Sequence, residues 1–102
     1  MSETDVVAEI KTYLESRGVL VLRMHVDGIR LGSGGRRKNP LKGIPDLLCV
    51  PMGKLGQLFT IEVKKGKNKP SKEQIVMMAK LAARGVPTLV AYSLEDIKKR
   101  FE

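Results

Sequence analysis

Hydrophobic and polar positions alternate along the chain with two different periods, and the changes of period mark the elements. From Glu3 to Arg17 the apolar residues Val6, Val7, Ile10, Tyr13 and Leu14 recur at helical spacing, and Gly18 supplies a stop. Val19 to Met24 is a short β-branched and apolar run, which predicts a strand. Val26 to Gly43 has no period and holds five glycines and Pro40, so it predicts a long loop, part of which forms a hairpin around Gly32 to Gly35. Asp46 to Val50 predicts a buried strand, ended by Pro51 and Gly53. Gln57 to Lys64 predicts its partner across a turn at Gly53–Gly56, with Leu58, Thr60, Glu62 and Lys64 on one face and Phe59, Ile61 and Val63 on the other.

Ser71 and Gln74 form a Ser-x-x-Gln capping pattern that opens a second helix. Its predicted apolar face is Ile75, Met78, Ala79, Leu81 and Ala82, and Gly85 ends it. Pro87 to Tyr92 predicts a fourth strand, and Ser93 with Glu95 and Asp96 starts a last helix that runs to Arg100. The order is α-β-β-β-α-β-α. There is no internal repeat and no low-complexity linker, so the expectation is one α/β domain over residues 1–102, a mixed four-stranded sheet flanked by helices.

Composition narrows the classes. Hydrophobic residues are 42% of the 102, enough for one modest core. No apolar run approaches the length of a membrane span, and the polar, acidic start Met1-Ser2-Glu3-Thr4-Asp5 is unlike a secretory signal. A lone cysteine, Cys49, forms no internal disulfide, and it sits in an apolar run as a small buried hydrophobe. These features predict a cytoplasmic protein. One His and one Cys do not make a structural zinc site.

Charge adds a partner. Nineteen Lys and Arg against eleven Asp and Glu give +8. Ten of the nineteen fall in two acid-free stretches, Arg30 to Lys42 and Lys64 to Lys72, which points to phosphate-contacting surfaces on a polyanion. Aromatics are only 4%, so backbone recognition is expected in place of base stacking.

The chemistry lies in Pro45-Asp46 and Glu62-Val63-Lys64. In a hairpin, the start of one strand lies beside the end of its partner, about 5 Å away. This brings the Asp46 and Glu62 carboxylates together, and the period of two turns Lys64 the same way as Glu62. Two adjacent carboxylates are costly unless a cation neutralises them. A hard divalent ion such as Mg²⁺ takes oxygen ligands and can activate water and steady a leaving oxygen. Lys64 can orient or deprotonate that water, or offset charge on a phosphorane.

On these residues the sequence resembles the PD-(D/E)XK nuclease superfamily and, within it, the VRR-NUC family in its short stand-alone phage-type form. The matching stretches are Gly43-Ile44-Pro45-Asp46-Leu47-Leu48, Phe59-Thr60-Ile61-Glu62-Val63-Lys64, Lys69-Pro70-Ser71-Lys72-Glu73-Gln74, and the closing Gly85 to Ala91 with Ser93-Leu94-Glu95-Asp96. The resemblance implies a restriction-endonuclease-like core and a catalytic set of Asp46, Glu62, Lys64 and Gln74. It implies Mg²⁺, with Mn²⁺ as substitute, held by Asp46, Glu62, the Val63 main-chain carbonyl and an acid on the first helix. Glu3 fits the family's pattern there, with Glu9 and Asp5 as competitors. Arg36, Arg37, Lys38 and Lys42 of the long basic loop, with Lys65, Lys67, Lys69 and Lys72, are the expected DNA contacts. His25, after the first strand, is structural or solvated, with contact to the scissile phosphate as the alternative. The implied activity is endonucleolytic cleavage of branched DNA, Holliday-junction-like or flap, by a homodimer in replication, recombination or repair. The rival readings are a non-catalytic nucleic-acid-binding module, a restriction-type nuclease on linear duplex, and an inert subunit of a replication complex.

Overall fold

The structure, a computed structural model, describes residues 2–24, 43–53 and 56–101. The predicted loop before Gly43, with its hairpin, and the tip of the Gly53–Gly56 turn lie outside these residues. Helix α1 spans Glu3–Ser16. Its N-cap, Ser2, accepts from the Asp5 amide while Asp5 accepts from the Ser2 amide, a reciprocal box that satisfies two otherwise orphan donors. Val6, Val7, Ile10 and Leu14 form its buried face. Gly18, at φ +82°, takes the left-handed conformation that ends the helix and turns the chain into β1.

Strands β1 (Val19–Arg23), β2 (Leu47–Pro51), β3 (Phe59–Val63) and β4 (Thr88–Ala91) form one sheet in that order. β1–β2 and β2–β3 are antiparallel, and β3–β4 is parallel, joined through helix α2 (Lys72–Ala82). Helix α3 (Leu94–Phe101) follows β4 and packs beside α1. The mixed α/β architecture predicted from the sequence is therefore the one found. No helix among the described residues is long and apolar enough to cross a membrane.

The core lies between the sheet and the α1–α3 layer. Ile10, Leu14, Leu47, Cys49, Ile61, Val63, Ala91 and Ile97 are almost completely buried there. A fully buried Leu or Ile contributes about 1.5–3 kcal/mol of hydrophobic free energy, so this layer carries most of the stability. Phe59 meets Phe101 at 5.6 Å between ring centres, and the Arg17 guanidinium donates to the Phe101 carbonyl, which ties α3 to α1. Burial of Cys49 pushes its thiol up to about 12, consistent with an inert packing role.

Helix α2 departs from the predicted pattern. None of its residues is fully buried; Ile75 is 55% exposed, and Ala79 and Ala82 face outward too. Gln74, Met77, Met78 and Leu81 are half-buried. The cause lies in the strand face beneath. Side chains alternate across a strand, so with Phe59, Ile61 and Val63 in the core, the α2 side of β3 is left with Thr60 and Glu62. Thr60 meets the Thr88 hydroxyl there at 2.6 Å. This helix lies on a polar strip and gains little by presenting a wide apolar face to it.

Candidate active site

The β2–β3 register pairs Leu47 with Ile61 and Leu48 with Thr60, so one further step places Asp46 opposite Glu62. The main-chain bonds show which kind of pair this is. Thr60 and Lys64 send their amides to Pro87 and Ala91 on the β4 side. The alternate residues Ile61 and Val63 therefore direct theirs toward β2, and Glu62 sits in the non-hydrogen-bonded pair, where side chains approach most closely, Cα to Cα about 4.5 Å.

Pro45 and Asp46 end the ladder in a specific way. Pro45 is fully buried and has no amide to donate. The Val63 amide is taken by a side chain, donating to Asp46 Oδ2 at 2.7 Å. The Asp46 main chain still extends the sheet on its other side, accepting from the Met24 amide at 2.8 Å. Asp46 is thus fixed by main-chain bonds on both sides. In an extended strand the amide and carbonyl of one residue point to the same side, so the Val63 carbonyl is directed toward Asp46 as well.

Glu62 is 3% exposed and is surrounded by donors. Lys64 Nζ lies 3.3 Å from its Oε2, and Gln74 Nε2 donates to the same oxygen at 2.9 Å. A carboxylate this deeply buried needs such partners to remain charged. Gln74 performs two tasks at once. Its Oε1 accepts from the Ser71 amide at 2.8 Å, closing the predicted capping box, while its amide nitrogen reaches Glu62. The first turn of α2 is thereby joined to the end of β3.

Gly43 explains how that turn comes so near. Its φ is +87°, and a Cβ there would stand 2.5 Å from the Glu73 carbonyl oxygen. Only glycine lets the segment leading to Asp46 run against the α2 backbone. In the sequence Gly43 stands only as the first residue of the Gly43-Ile44-Pro45-Asp46 stretch. A glycine three residues before an aspartate that starts a strand was the available signal.

Asp46, Glu62 and the Val63 carbonyl make an all-oxygen donor set, which fits a hard divalent cation that keeps several waters. The first-helix acids stand apart from it. Glu3 is exposed. Asp5 spends its carboxylate on the cap, accepting from the Ser2 amide at 3.0 Å and the Ser2 hydroxyl at 2.9 Å, and the amide bond first, then the hydroxyl, hold it below the usual carboxylate range. Glu9 is half-buried in the second turn. Among the described residues no group of three or more His, Cys, Asp or Glu side chains comes together as a metal site, so none of these joins Asp46 and Glu62.

The second basic stretch lies directly beyond Lys64. Lys65, Lys67, Lys69 and Lys72 are exposed on the turn after β3 and the start of α2. The Tyr92 hydroxyl donates to the Asn68 carbonyl at 2.8 Å and pins that turn to the end of β4. Nothing in the sequence marked Tyr92 for this role. Arg36, Arg37, Lys38 and Lys42, with His25, lie outside the described residues.

Comparison with family models and with curated proteins gives no match. A solved structure described as a VRR_NUC domain is similar over 97% of this chain and 92% of that chain, with a TM-score of 0.71 and 25% sequence identity.

Proposed function

Since the chain belongs to the VRR-NUC family of PD-(D/E)XK nucleases, we propose that it is a divalent-metal-dependent endonuclease that cleaves branched DNA at Asp46, Glu62 and Lys64. The observation that carries this reading is the pairing of Asp46 with Glu62 across β2 and β3, with Lys64 and Gln74 both on Glu62 Oε2.

Asp46, Glu62 and the Val63 carbonyl would hold Mg²⁺, or Mn²⁺ in its place. When bound, the ion lowers the pKa of a ligated water and polarises the phosphodiester. Lys64, set by its ion pair with Glu62, supplies positive charge at the edge of the pair, where the phosphorane oxygens become more negative. Gln74 holds the Glu62 carboxylate in one orientation, so the donor set is preorganised. Lys65, Lys67, Lys69 and Lys72 bind phosphates flanking the cut, with Arg36, Arg37, Lys38 and Lys42 as the proposed second arm. A Holliday-junction-like substrate presents two strands to cut, which suits a symmetric homodimer. Leu20 and Leu22, exposed on the edge strand β1, offer an apolar surface for that contact.

The test is a panel of labelled junction, flap and linear duplex DNAs incubated with Mg²⁺, Mn²⁺ or a chelator. Cleavage confined to branched DNA and abolished by the chelator is expected. Cutting that persists in the chelator sinks the metal assignment, and equal cutting of linear duplex sinks the branched-substrate assignment.

A further inference from the structure

Helix α2 carries a surface of which the proposed phosphate contacts use only the first residue, Lys72. Lys72, Val76 and Lys80 are four residues apart and line up on one side of the helix, and Arg84, just past its end, donates to the Lys80 carbonyl. Val76 is 53% exposed, and its neighbour Ile75 is 55% exposed. An open groove of about 300 Å³ is lined by Lys72, Glu73, Val76, Met77 and Lys80. Exposed apolar residues between lysines, on a helix with no fully buried residue, call for an occupant.

Two features identify it. The stripe begins in the first turn of α2, the turn whose other side meets the candidate site through the Gln74–Glu62 bond. Its charge is also of one sign apart from Glu73, on a chain of net charge +8. At 1.5 Å per residue, Lys72 and Lys80 are about 12 Å apart along the helix, which spans roughly three or four phosphates of one strand. We propose that the outward face of α2 is a track for one arm of the DNA leaving the active site, with Lys72 and Lys80 on phosphates and Val76 and Met77 against the sugars between them. This rests on the nuclease reading and extends the DNA surface to residues beyond the two basic stretches.

The experiment measures binding of a labelled branched DNA without divalent ion, by fluorescence polarisation over a range of salt. Lys80→Ala is expected to reduce the slope of log affinity against log salt by about one, and Lys80→Glu to weaken binding about tenfold. Val76→Glu places a negative charge in the groove and is expected to weaken binding as well. Lys99→Ala, on α3 across the sheet, is expected to leave the slope unchanged. Cleavage by Lys99→Ala should match the wild type. Wild-type binding by Lys80→Glu, with cleavage intact, overturns the track alone, as does an equal change of slope in Lys99→Ala. Failure of the wild-type protein to bind DNA at all overturns the track together with the nuclease reading.

Discussion

Asp46 has a structural duty and a proposed chemical one, and the two can be separated. Its Oδ2 satisfies the Val63 amide, which would otherwise be left at the end of a ladder where Pro45 closes β2. Asparagine retains an oxygen that can accept this bond, and alanine does not. Asp46→Asn should therefore unfold within about 1 kcal/mol of the wild type, whereas Asp46→Ala should lose about 1–3 kcal/mol, measured by urea denaturation. Equal stability of the two would show that the Val63 contact contributes nothing. At this scale the sequence was informative about identity and less so about partners. Asp46, Glu62 and Lys64 stand out because acids and an amine end apolar strands. Gln74 was legible as a cap, and its second bond to Glu62 needed the tertiary approach of α2. Asp5 appeared as a possible ligand because register on an isolated helix does not show which carboxylate the cap consumes.

At the scale of elements, hydrophobic period located the helices and strands well, because the core face of α1 and the alternation in β3 are both strong signals. It fails on α2, where the pattern predicts Ile75, Ala79 and Ala82 to face inward and they are exposed. Periodicity shows that a helix has an apolar stripe and cannot show whether the sheet below it is apolar. What anchors α2 is local and polar: the Ser71–Gln74 box, the bond to Glu62 and the close pass of Gly43. Gly43→Ala combines a strained φ with a main-chain clash, so the first turn of α2 must shift and carry Gln74 off Glu62. The expected result is a fall in kcat of about 10–100-fold with little change in DNA affinity, matched by Gln74→Ala. A Gly43→Ala enzyme with unaltered kcat would separate this contact from catalysis.

For the whole molecule, the sheet order and the mixed strand directions bring the end of β3, the start of β2 and the N-terminus of α2 to one place, while α1 and α3 supply the core on the far side. The fold class could be read from element order, since a strand–helix–strand unit predicts the parallel β3–β4 pair. A dimer could not, because a surface reveals its use only once neighbours in space are known: Leu20 and Leu22 look like core residues in a strand and prove to be exposed. If they form the homodimer contact, Leu20→Glu with Leu22→Glu should give a monomer in sedimentation velocity under conditions where the wild type sediments as a dimer. A double variant that remains dimeric places the interface elsewhere.

Every chemical role assigned above depends on two carboxylates acting on one ion. The most direct measurement is the single-turnover rate of junction cleavage in Mg²⁺ by Asp46→Asn and Glu62→Gln, alongside Mn²⁺ binding by calorimetry on the same proteins. The account predicts that both variants stay folded, bind DNA, lose Mn²⁺ binding and cut at rates on the order of a thousandfold or more below the wild type. Cleavage by either variant near the wild-type rate, with metal binding unchanged, would contradict it.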